Sequence, residues 1–192
     1  MNQQIKDIIK ASIDTKHKIY SDDAMIALLD KIATLTAEAF KNGHKVLFCG
    51  NGGSAADAQH IAAELSGRFY TDRDPLPAEA LHVNTSYLTA VANDYSYDVV
   101  YSRMIKGSGR KGDVLFAIST SGNSKNILLA VEEAKKQGMI TVGLTGESGG
   151  KMKDACDYIL RIPSNDTPRI QESHIMAGHI ICQLIEEKLF QS

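Results

Sequence analysis

The chain has 192 residues, of which 43% are hydrophobic and 23% charged, and its formal net charge at pH 7 is −2. This length and composition suit one globular domain with an apolar core. The small net charge excludes a protein whose overall field attracts nucleic acid or an acidic membrane.

The hydropathy pattern and the cysteines indicate the cellular compartment. No apolar run approaches the roughly 18 residues of a membrane span, and the first residues lack the apolar stretch of a signal peptide. The three cysteines, Cys49, Cys156 and Cys182, are odd in number and widely spaced, which argues against a disulfide framework and against a cysteine zinc site. We therefore expect a cytoplasmic protein, since a reducing compartment suits free thiols.

The first 42 residues precede every predicted strand. Their apolar spacing predicts two helices, over 2–19 and 22–41, and Asn42-Gly43 ends the second one. Isoleucines stand at positions 5, 8, 9 and 13 of the first helix. This apolar face needs a surface to pack on. A partner subunit and the chain's own domain are equally good candidates.

The rest of the chain alternates short apolar runs with helical segments. Strands are predicted at 45–49, 80–83, 114–118, 139–144 and 158–162. A helix is predicted at 97–106, and a long helix from 168 to 190. Strands separated by helices form right-handed parallel units. We therefore expect a doubly wound α/β fold of five parallel strands, with N-terminal helices and a long C-terminal helix.

The clearest functional signal lies between the strand at 114–118 and the helix that follows it. Four hydroxyls occur within six residues there, at Ser119, Thr120, Ser121 and Ser124. Ser124 is the predicted N-cap, and an ordinary capped turn needs only one such residue. Loop amides, hydroxyls and the positive end of a helix together suit an anion, so this hydroxyl loop predicts a phosphate site.

A second strand, loop and helix unit contains the glycine-rich run from Gly50 to Ser54. Its glycines allow close approach of the backbone to a ligand. The spacing differs from a dinucleotide fingerprint, because Ala55 stands where the third glycine belongs. No lysine precedes Ser54, so the run is not a nucleotide-triphosphate loop either.

His60 and Glu64 share one face of the helix after this run. Such a pair can bind a divalent metal, can transfer protons, or can simply be surface neighbours. Its place after a strand, where open α/β sheets bind ligands, favours a functional role. In the polar segment that follows, Arg68 and Arg73 can hold an anion or solvate the loop; solvation is the favoured interpretation for Arg73, and Arg68 stays open.

The C-terminal helix carries Gln171, His174 and His179 within a broad apolar surface. A single histidine on such a face is more often a core residue than a ligand, but three such polar residues in the first half of one helix favour a functional site. Gln171 and His179 are two turns apart, about 12 Å along the axis. Sharing one ion would therefore require extended side chains.

Taken together, these stretches resemble the SIS (sugar isomerase) domain and, within that group, the bacterial phosphoheptose isomerases. The resemblance covers nearly the whole chain. The matching stretches are 49–54 (CGNGGS), 60–68 (HIAAELSGR), 92–94 (AND), 112–113 (GD), 118–124 (ISTSGNS), 144–146 (LTG), 149–152 (GGKM) and 169–172 (RIQE), with His174 and His179. The hydroxyl loop marks only the wider group, whereas the combination of His60, Glu64, Gln171 and His179 is much more specific.

The resemblance implies the site residues. Glu64 and His179 would be the catalytic acid–base pair. One zinc ion per subunit would be bound by His60, Glu64, Gln171 and His179. The substrate would contact Asn51, Gly52, Gly53, Ser54, Glu64, Asn93, Asp94, Ser119, Thr120, Ser121, Ser124 and Gln171. Whether Glu64 is a free base or a metal ligand stays open.

The implied activity is isomerisation of sedoheptulose 7-phosphate to D-glycero-D-manno-heptose 7-phosphate, the first step toward ADP-heptose for the lipopolysaccharide core. The implied assembly is a homotetramer with active sites between subunits, without nucleic-acid or membrane partners. The chain would be one SIS domain over 1–192, with a helical segment at 1–42 and an α/β sandwich at 43–192. The alternatives are a non-catalytic SIS tetramer that binds a replication initiator or senses a sugar phosphate, and an isomerase of a six-carbon sugar phosphate.

Overall fold

The computed structural model describes residues 2–190, which form eight α-helices and five β-strands. The helices are α1 (Asn2–Tyr20), α2 (Asp23–Lys41), α3 (Gly53–Ser66), α4 (Thr85–Asp94), α5 (Val100–Ser108), α6 (Lys125–Lys136), α7 (Met152–Ala155) and α8 (Thr167–Phe190). The strands are β1 (Val46–Gly50), β2 (Ala78–Ala80), β3 (Val114–Ile118), β4 (Ile140–Thr145) and β5 (Tyr158–Arg161). None of the described helices combines the length and the apolar character needed to cross a membrane.

The strands form one parallel sheet in the order β2-β1-β3-β4-β5, which confirms the predicted five-stranded α/β fold. The register pairs Val46 with Val114 and Gly50 with Ile118, so β1 and β3 end side by side. In this strand order the direction of winding reverses between β1 and β3. A sheet of this kind opens a ligand crevice beyond the carboxyl ends of those two strands.

Two apolar cores cover the two faces of the sheet. Residues of α2, α3 and α8 pack on one face, where the rings of Phe48 and Phe116 stack with centroids 5.0 Å apart. Residues of α4, α5 and α6 pack on the other face against Leu47 and Leu115. β1 and β3 are buried along their whole length, as expected of central parallel strands. The helices that follow β1 and β3, α3 and α6, therefore lie on opposite sides of the crevice.

Most predicted elements are confirmed to within a few residues, and three differ. The strand predicted at 80–83 lies at Ala78–Ala80, because the chain turns there into α4, where Asn84 accepts a hydrogen bond from the Tyr87 amide. The helix predicted at 97–106 divides into a 3₁₀ turn, Tyr97–Val99, and α5. The short helix α7 was not predicted, since four residues carry no helical periodicity.

The first helix packs on its own chain along only part of its surface. Thr15 and Ile19 are buried, and the Ser12 hydroxyl donates to Glu172 on α8 at 2.7 Å. The isoleucine stripe faces away from the domain, with Ile5, Ile8, Ile9 and Ile13 each between 52% and 57% exposed. The chain's own domain therefore covers one side of α1 and leaves the apolar stripe uncovered.

His174 is a core histidine, as its position on an apolar helix face suggested. It is buried, and its Nε2 lies 3.1 Å from the carbonyl oxygen of Thr145 at the end of β4. Burial lowers the pKa of the imidazole to about 4, although the Thr145 carbonyl opposes that shift. The side chain is therefore neutral at pH 7, with Nε2–H donating to Thr145.

We expect stability to fall when the pH is lowered from about 6.5 to about 4. The folded pKa of His174 lies below the unfolded value, so the unfolded chain binds a proton that the folded chain does not. Full protonation of this one group costs about 3 kcal/mol of unfolding free energy. Chemical denaturation of the wild type and of His174→Gln across this range measures the difference in slope.

The matched control is His17→Gln, which changes an exposed histidine on α1. It should retain the wild-type pH dependence, whereas His174→Gln should lose the His174 contribution. Parallel pH profiles for His174→Gln and the wild type would contradict the assignment.

Candidate active site

The glycine-rich loop after β1 and the hydroxyl loop after β3 meet at the crevice. Their contact is a reciprocal amide pair: Asn51 Nδ2 donates to Asn126 Oδ1 at 2.9 Å, and Asn126 Nδ2 donates to Asn51 Oδ1 at 2.8 Å. The Tyr97 hydroxyl also reaches Asn51 Oδ1 at 3.4 Å. Asn126 is buried in the first turn of α6. The two loops are therefore joined into one surface.

Three of the four predicted hydroxyls converge in the hydroxyl loop. Ser119 Oγ lies 3.0 Å from Ser124 Oγ and 3.5 Å from Ser121 Oγ. Ser124 is the N-cap of α6, as predicted, but its hydroxyl lies beside Ser119 and makes no hydrogen bond to the first α6 amides. Unpaired amides and the positive end of a helix favour an anion, and convergent hydroxyls add donors for it.

The loop between β4 and α7 supports the hydroxyl loop from behind. The Gly146 amide donates to Thr120 O at 2.9 Å, and the Met152 amide donates to Gly122 O at 3.1 Å. Gly122 has φ +64°, and a Cβ there would lie 2.1 Å from the carbonyl oxygen of Gly149. Only glycine fits at position 122, so the shape of the hydroxyl loop depends on this packing.

Gln171 lies at the other side of the crevice, against the start of α3. A Cβ on Gly53 would lie 2.4 Å from Gln171 Nε2, so the Gln171 amide lies directly against the Gly53 backbone. Ser54 is buried beneath it. The predicted substrate residues Gly52, Gly53, Ser54 and Gln171 are therefore neighbours around the N-terminus of α3.

Farther along α3, three of the predicted site residues form a cluster. His60 Nε2 lies 3.1 Å from Glu64 Oε1 and 3.1 Å from His179 Nε2. One ligand atom from each of the three lies within 4.8 Å of the others. The sequence predicted the His60–Glu64 neighbourhood from helical spacing, and the packing of α8 on α3 adds His179.

A close approach of the two helices makes this cluster possible. A Cβ on Gly178 would lie 2.4 Å from Cδ1 of Ile61, so α8 contacts α3 through bare backbone. His179 and His60 are the chain neighbours of these two residues. Without a side chain at position 178, the two imidazoles come within hydrogen-bond distance.

The donor set of the cluster fits a zinc ion. Zinc takes imidazole nitrogens and carboxylate oxygens in a compact arrangement. Two Nε2 atoms 3.1 Å apart need a proton or a cation between their lone pairs. His60, Glu64 and His179 therefore suit the predicted zinc ion, and zinc binding itself stays a prediction.

Gln171 lies apart from the cluster within one chain. It stands eight positions before His179 on α8, about 12 Å along the helix axis, and it contacts Gly53 instead. The structure thus brings together three of the four predicted zinc ligands and places the fourth among the predicted substrate residues.

Asn93 and Asp94 lie at the exposed end of α4, on the rim of the crevice. Asn93 Nδ2 donates to Asp94 Oδ1 at 3.0 Å. Three residues later, Tyr97 reaches Asn51. Their predicted contact with substrate stays a prediction.

Several residues around the site had not been predicted to take part. Asp57 lies one turn before His60; burial raises the pKa of its carboxyl to about 6, although His60 lowers it, and its Oδ2 has no hydrogen-bond partner. The Phe69 ring stacks on His179 with centroids 5.7 Å apart. The favoured interpretation of Arg73 was wrong, because its side chain is buried in an ion pair with Glu186. Asp57 could have been found from the sequence, because it lies three positions before His60 on the same helix. No sequence pattern pointed to the contact of Phe69 with His179.

We expect the double substitution Ser119→Ala with Ser124→Ala to weaken binding of inorganic phosphate by tenfold or more, because each hydrogen bond to a charged group is worth about 1.5–3 kcal/mol. Titration followed by phosphorus NMR measures the affinity. Ser108→Ala is the control, since that hydroxyl on α5 bonds only to the Met104 carbonyl. Equal affinities in the double variant and the control would contradict the anion site.

Comparisons with known proteins give the family. The SIS domain model matches residues 9–146. The chain is 53% identical to a phosphoheptose isomerase of Aneurinibacillus thermoaerophilus over 100% of this chain and 97% of that protein. It is 52% identical to one of Clostridium acetobutylicum, with 99% and 97% covered. A solved phosphoheptose isomerase from Neisseria gonorrhoeae superposes with TM-score 0.91 at 40% identity, covering 97% of this chain and 98% of that one. The chain therefore belongs to the SIS-domain phosphoheptose isomerases, a family of isomerases.

Proposed function

We propose that the protein converts sedoheptulose 7-phosphate to D-glycero-D-manno-heptose 7-phosphate in the cytoplasm, as the first step toward ADP-heptose for the lipopolysaccharide core. The observation that carries the proposal is the meeting of Glu64 and His179, 115 positions apart in the chain, beside one another in the cluster. The names of relatives at 53% and 52% identity support the seven-carbon sugar phosphate.

The hydroxyl loop would bind the phosphate of the substrate. Ser119, Ser121 and Ser124 present convergent hydroxyls, and the α6 N-terminus favours the negative charge. The backbone of Gly52 and Gly53, with Gln171, would contact the sugar hydroxyls. Fixing the phosphate and the chain in this way orients the carbonyl end for proton transfer.

The chemistry is two pairs of proton transfers on the open-chain sugar. Glu64 takes a proton from C1 of the ketose, and His179 gives a proton to the carbonyl oxygen at C2, which forms an enediol. His179 then takes the proton of the C1 hydroxyl, and Glu64 returns the carbon-bound proton to C2, which gives the aldose. Histidine suits the second role because its ordinary pKa lies near neutrality.

A zinc ion bound by His60, Glu64 and His179 would supply polarisation of the carbonyl and stabilisation of enediolate charge. Glu64 is a weaker base when its carboxylate is a ligand. The proposal includes one zinc ion per subunit. The chelator experiment below decides whether Glu64 acts as a free base or as a zinc ligand.

We propose further that the protein is a homotetramer with active sites between subunits. The uncovered isoleucine stripe of α1 supports an interface. The distance along α3 supports shared sites: Gly53 and His60 are seven positions apart, about 10 Å along the axis. The hydroxyl loop of one chain and the cluster of another can then serve one substrate.

We expect Glu64→Gln and His179→Gln each to lower turnover of sedoheptulose 7-phosphate by at least 10²–10⁴-fold, because each removes a group that transfers a proton. Binding of inorganic phosphate should persist in both, since the hydroxyl loop is unchanged. Glu132→Gln, on the exposed face of α6, is the matched control and should turn over like the wild type. Wild-type rates in either cluster variant would remove the catalytic assignment.

Chelator treatment tests the metal. Turnover that falls with chelator and returns with zinc would support the cluster as a zinc site, whereas turnover indifferent to chelator would leave Glu64 as a free base. No turnover in any state would support the non-catalytic alternative, a SIS tetramer that binds a partner protein or senses a sugar phosphate.

Subunit mixing tests the shared site. We expect coexpression of a His179→Gln chain with a Ser119→Ala, Ser124→Ala chain to restore turnover that neither assembly has alone, because some mixed sites receive two intact halves. Equal mixtures of the separately assembled variants are the control. Mixed assemblies as inactive as their parents would contradict active sites built from two chains.

A further inference from the structure

The segment that joins α3 to β2 is organised by one buried carboxylate. Glu186 Oε2 accepts hydrogen bonds from the amides of Tyr70 and Thr71, both at 2.9 Å. Its Oε1 accepts from the Phe69 amide at 3.1 Å and from Arg73 Nε at 2.9 Å. Burial alone would raise the pKa of this carboxyl, but the three amides and the guanidinium lower it below its ordinary value. Glu186 is therefore charged and fully bonded at neutral pH.

Arg73 extends this network to the end of α3. Its Nη2 donates to the Glu64 carbonyl oxygen at 3.0 Å, and its Nη1 donates to the Leu65 carbonyl oxygen at 2.9 Å. The side chains of Arg73 and Glu186 are each 2% exposed. A cation on the last carbonyls of a helix satisfies acceptors that have no partner within the helix. The guanidinium therefore holds the turn that carries Glu64.

The carboxylate of Glu186 also holds the backbone of Phe69. The Phe69 amide is one of its donors, and the Phe69 ring lies nearly parallel to the imidazole of His179, at 26° with centroids 5.7 Å apart. Phe69 is part of the apolar packing around α3 and α8. The same carboxylate thus holds the main chain of the residue whose ring meets one member of the cluster.

We propose that the buried pair Arg73–Glu186 is a positioning device for the acid–base pair: it holds the turn of Glu64 through Arg73 and holds Phe69 against His179 through Glu186. The proposal rests on the proposed function for the roles of Glu64 and His179. A buried ion pair is often no more stabilising than apolar residues of the same shape, so stability alone does not account for it. A misplacement of about 1 Å at reacting groups costs roughly 10²-fold in rate. The Arg73–Glu186 pair prevents such a misplacement of Glu64 and His179.

The chain contains a second buried carboxylate with a comparable network, at the start of β3. Asp113, just before β3, accepts from the amides of Lys45 at 3.0 Å and Arg110 at 2.9 Å, and it pairs with the Lys45 ammonium. It fixes a loop at the amino ends of β1 and β3, away from the crevice. Asp113→Asn therefore controls for the general effect of weakening a buried carboxylate network.

The kinetic experiment compares Glu186→Gln, Phe69→Leu, Phe69→Tyr and Asp113→Asn, with Tm measured for each. We expect Glu186→Gln to lower kcat for sedoheptulose 7-phosphate by roughly 10²-fold with little change in KM, because the hydroxyl loop is untouched. Phe69→Leu should lower kcat in the same way, and Phe69→Tyr, which keeps the ring, should not. Asp113→Asn should lower Tm and leave kcat and KM as in the wild type.

A second measurement does not depend on the substrate. Histidine labelled with carbon-13 at Cε1 reports the ring-current effect of Phe69 on His179, whose signal is identified by its absence in His179→Gln. The signal should move in Phe69→Leu, should move in the same direction in Glu186→Gln, and should stay in place in Asp113→Asn.

The two measurements separate the two proposals. A wild type without turnover overturns the proposed function, whereas the His179 signal still tests the link from Glu186 to Phe69. A wild type that turns over, with Glu186→Gln and Phe69→Leu at wild-type kcat, overturns the positioning role. If Glu186→Gln does not fold, Phe69→Leu against Phe69→Tyr decides the outcome, since both keep the ion pair.

Discussion

The contact between α3 and α8 is the constraint on which the cluster of His60, Glu64 and His179 depends. The two helices touch where Gly178 meets Ile61, at a separation that leaves no room for a Cβ. This contact places His60 and His179, 119 positions apart in the chain, with their Nε2 atoms 3.1 Å from one another. A larger residue at position 178 would have to displace the Ile61 side chain, next to His60.

The strand order supplies the other half of the site. Because β1 lies between β2 and β3, the chain winds in opposite directions from β1 and β3, and the loops that follow them flank one crevice. The amide pair of Asn51 and Asn126 joins those loops. The glycine-rich loop and the hydroxyl loop thus lie together at the N-termini of α3 and α6, whereas the cluster of His60, Glu64 and His179 lies farther along α3.

Buried polar side chains form hydrogen bonds to backbone groups, which apolar side chains could not form. Glu186 accepts hydrogen bonds from three amides and a guanidinium. Asp113 accepts hydrogen bonds from two amides and pairs with an ammonium. His174 ties α8 to the end of β4. Each satisfies backbone groups of a loop or strand end that the sheet and helices leave unpaired. Their effect is to give irregular segments one conformation near the crevice and at the amino ends of β1 and β3.

Local patterns in the sequence were sufficient for the fold and for part of the site. Apolar runs predicted the strands, helical periodicity predicted the long helices, and their alternation predicted a parallel sheet. The hydroxyl loop and the shared face of His60 and Glu64 followed from residues a few positions apart. Such features are visible because their geometry is set by one helix turn or one strand ending.

What only the tertiary structure decided are the contacts between distant segments. The pairing of Arg73 with Glu186 and the ring of Phe69 on His179 depend on how elements pack. Gln171 and His179 share a helix, yet the structure assigns them to different neighbours, Gly53 and His60. The physical reason is that periodicity gives the face on which a side chain lies, whereas the shape of the opposing surface decides what it meets.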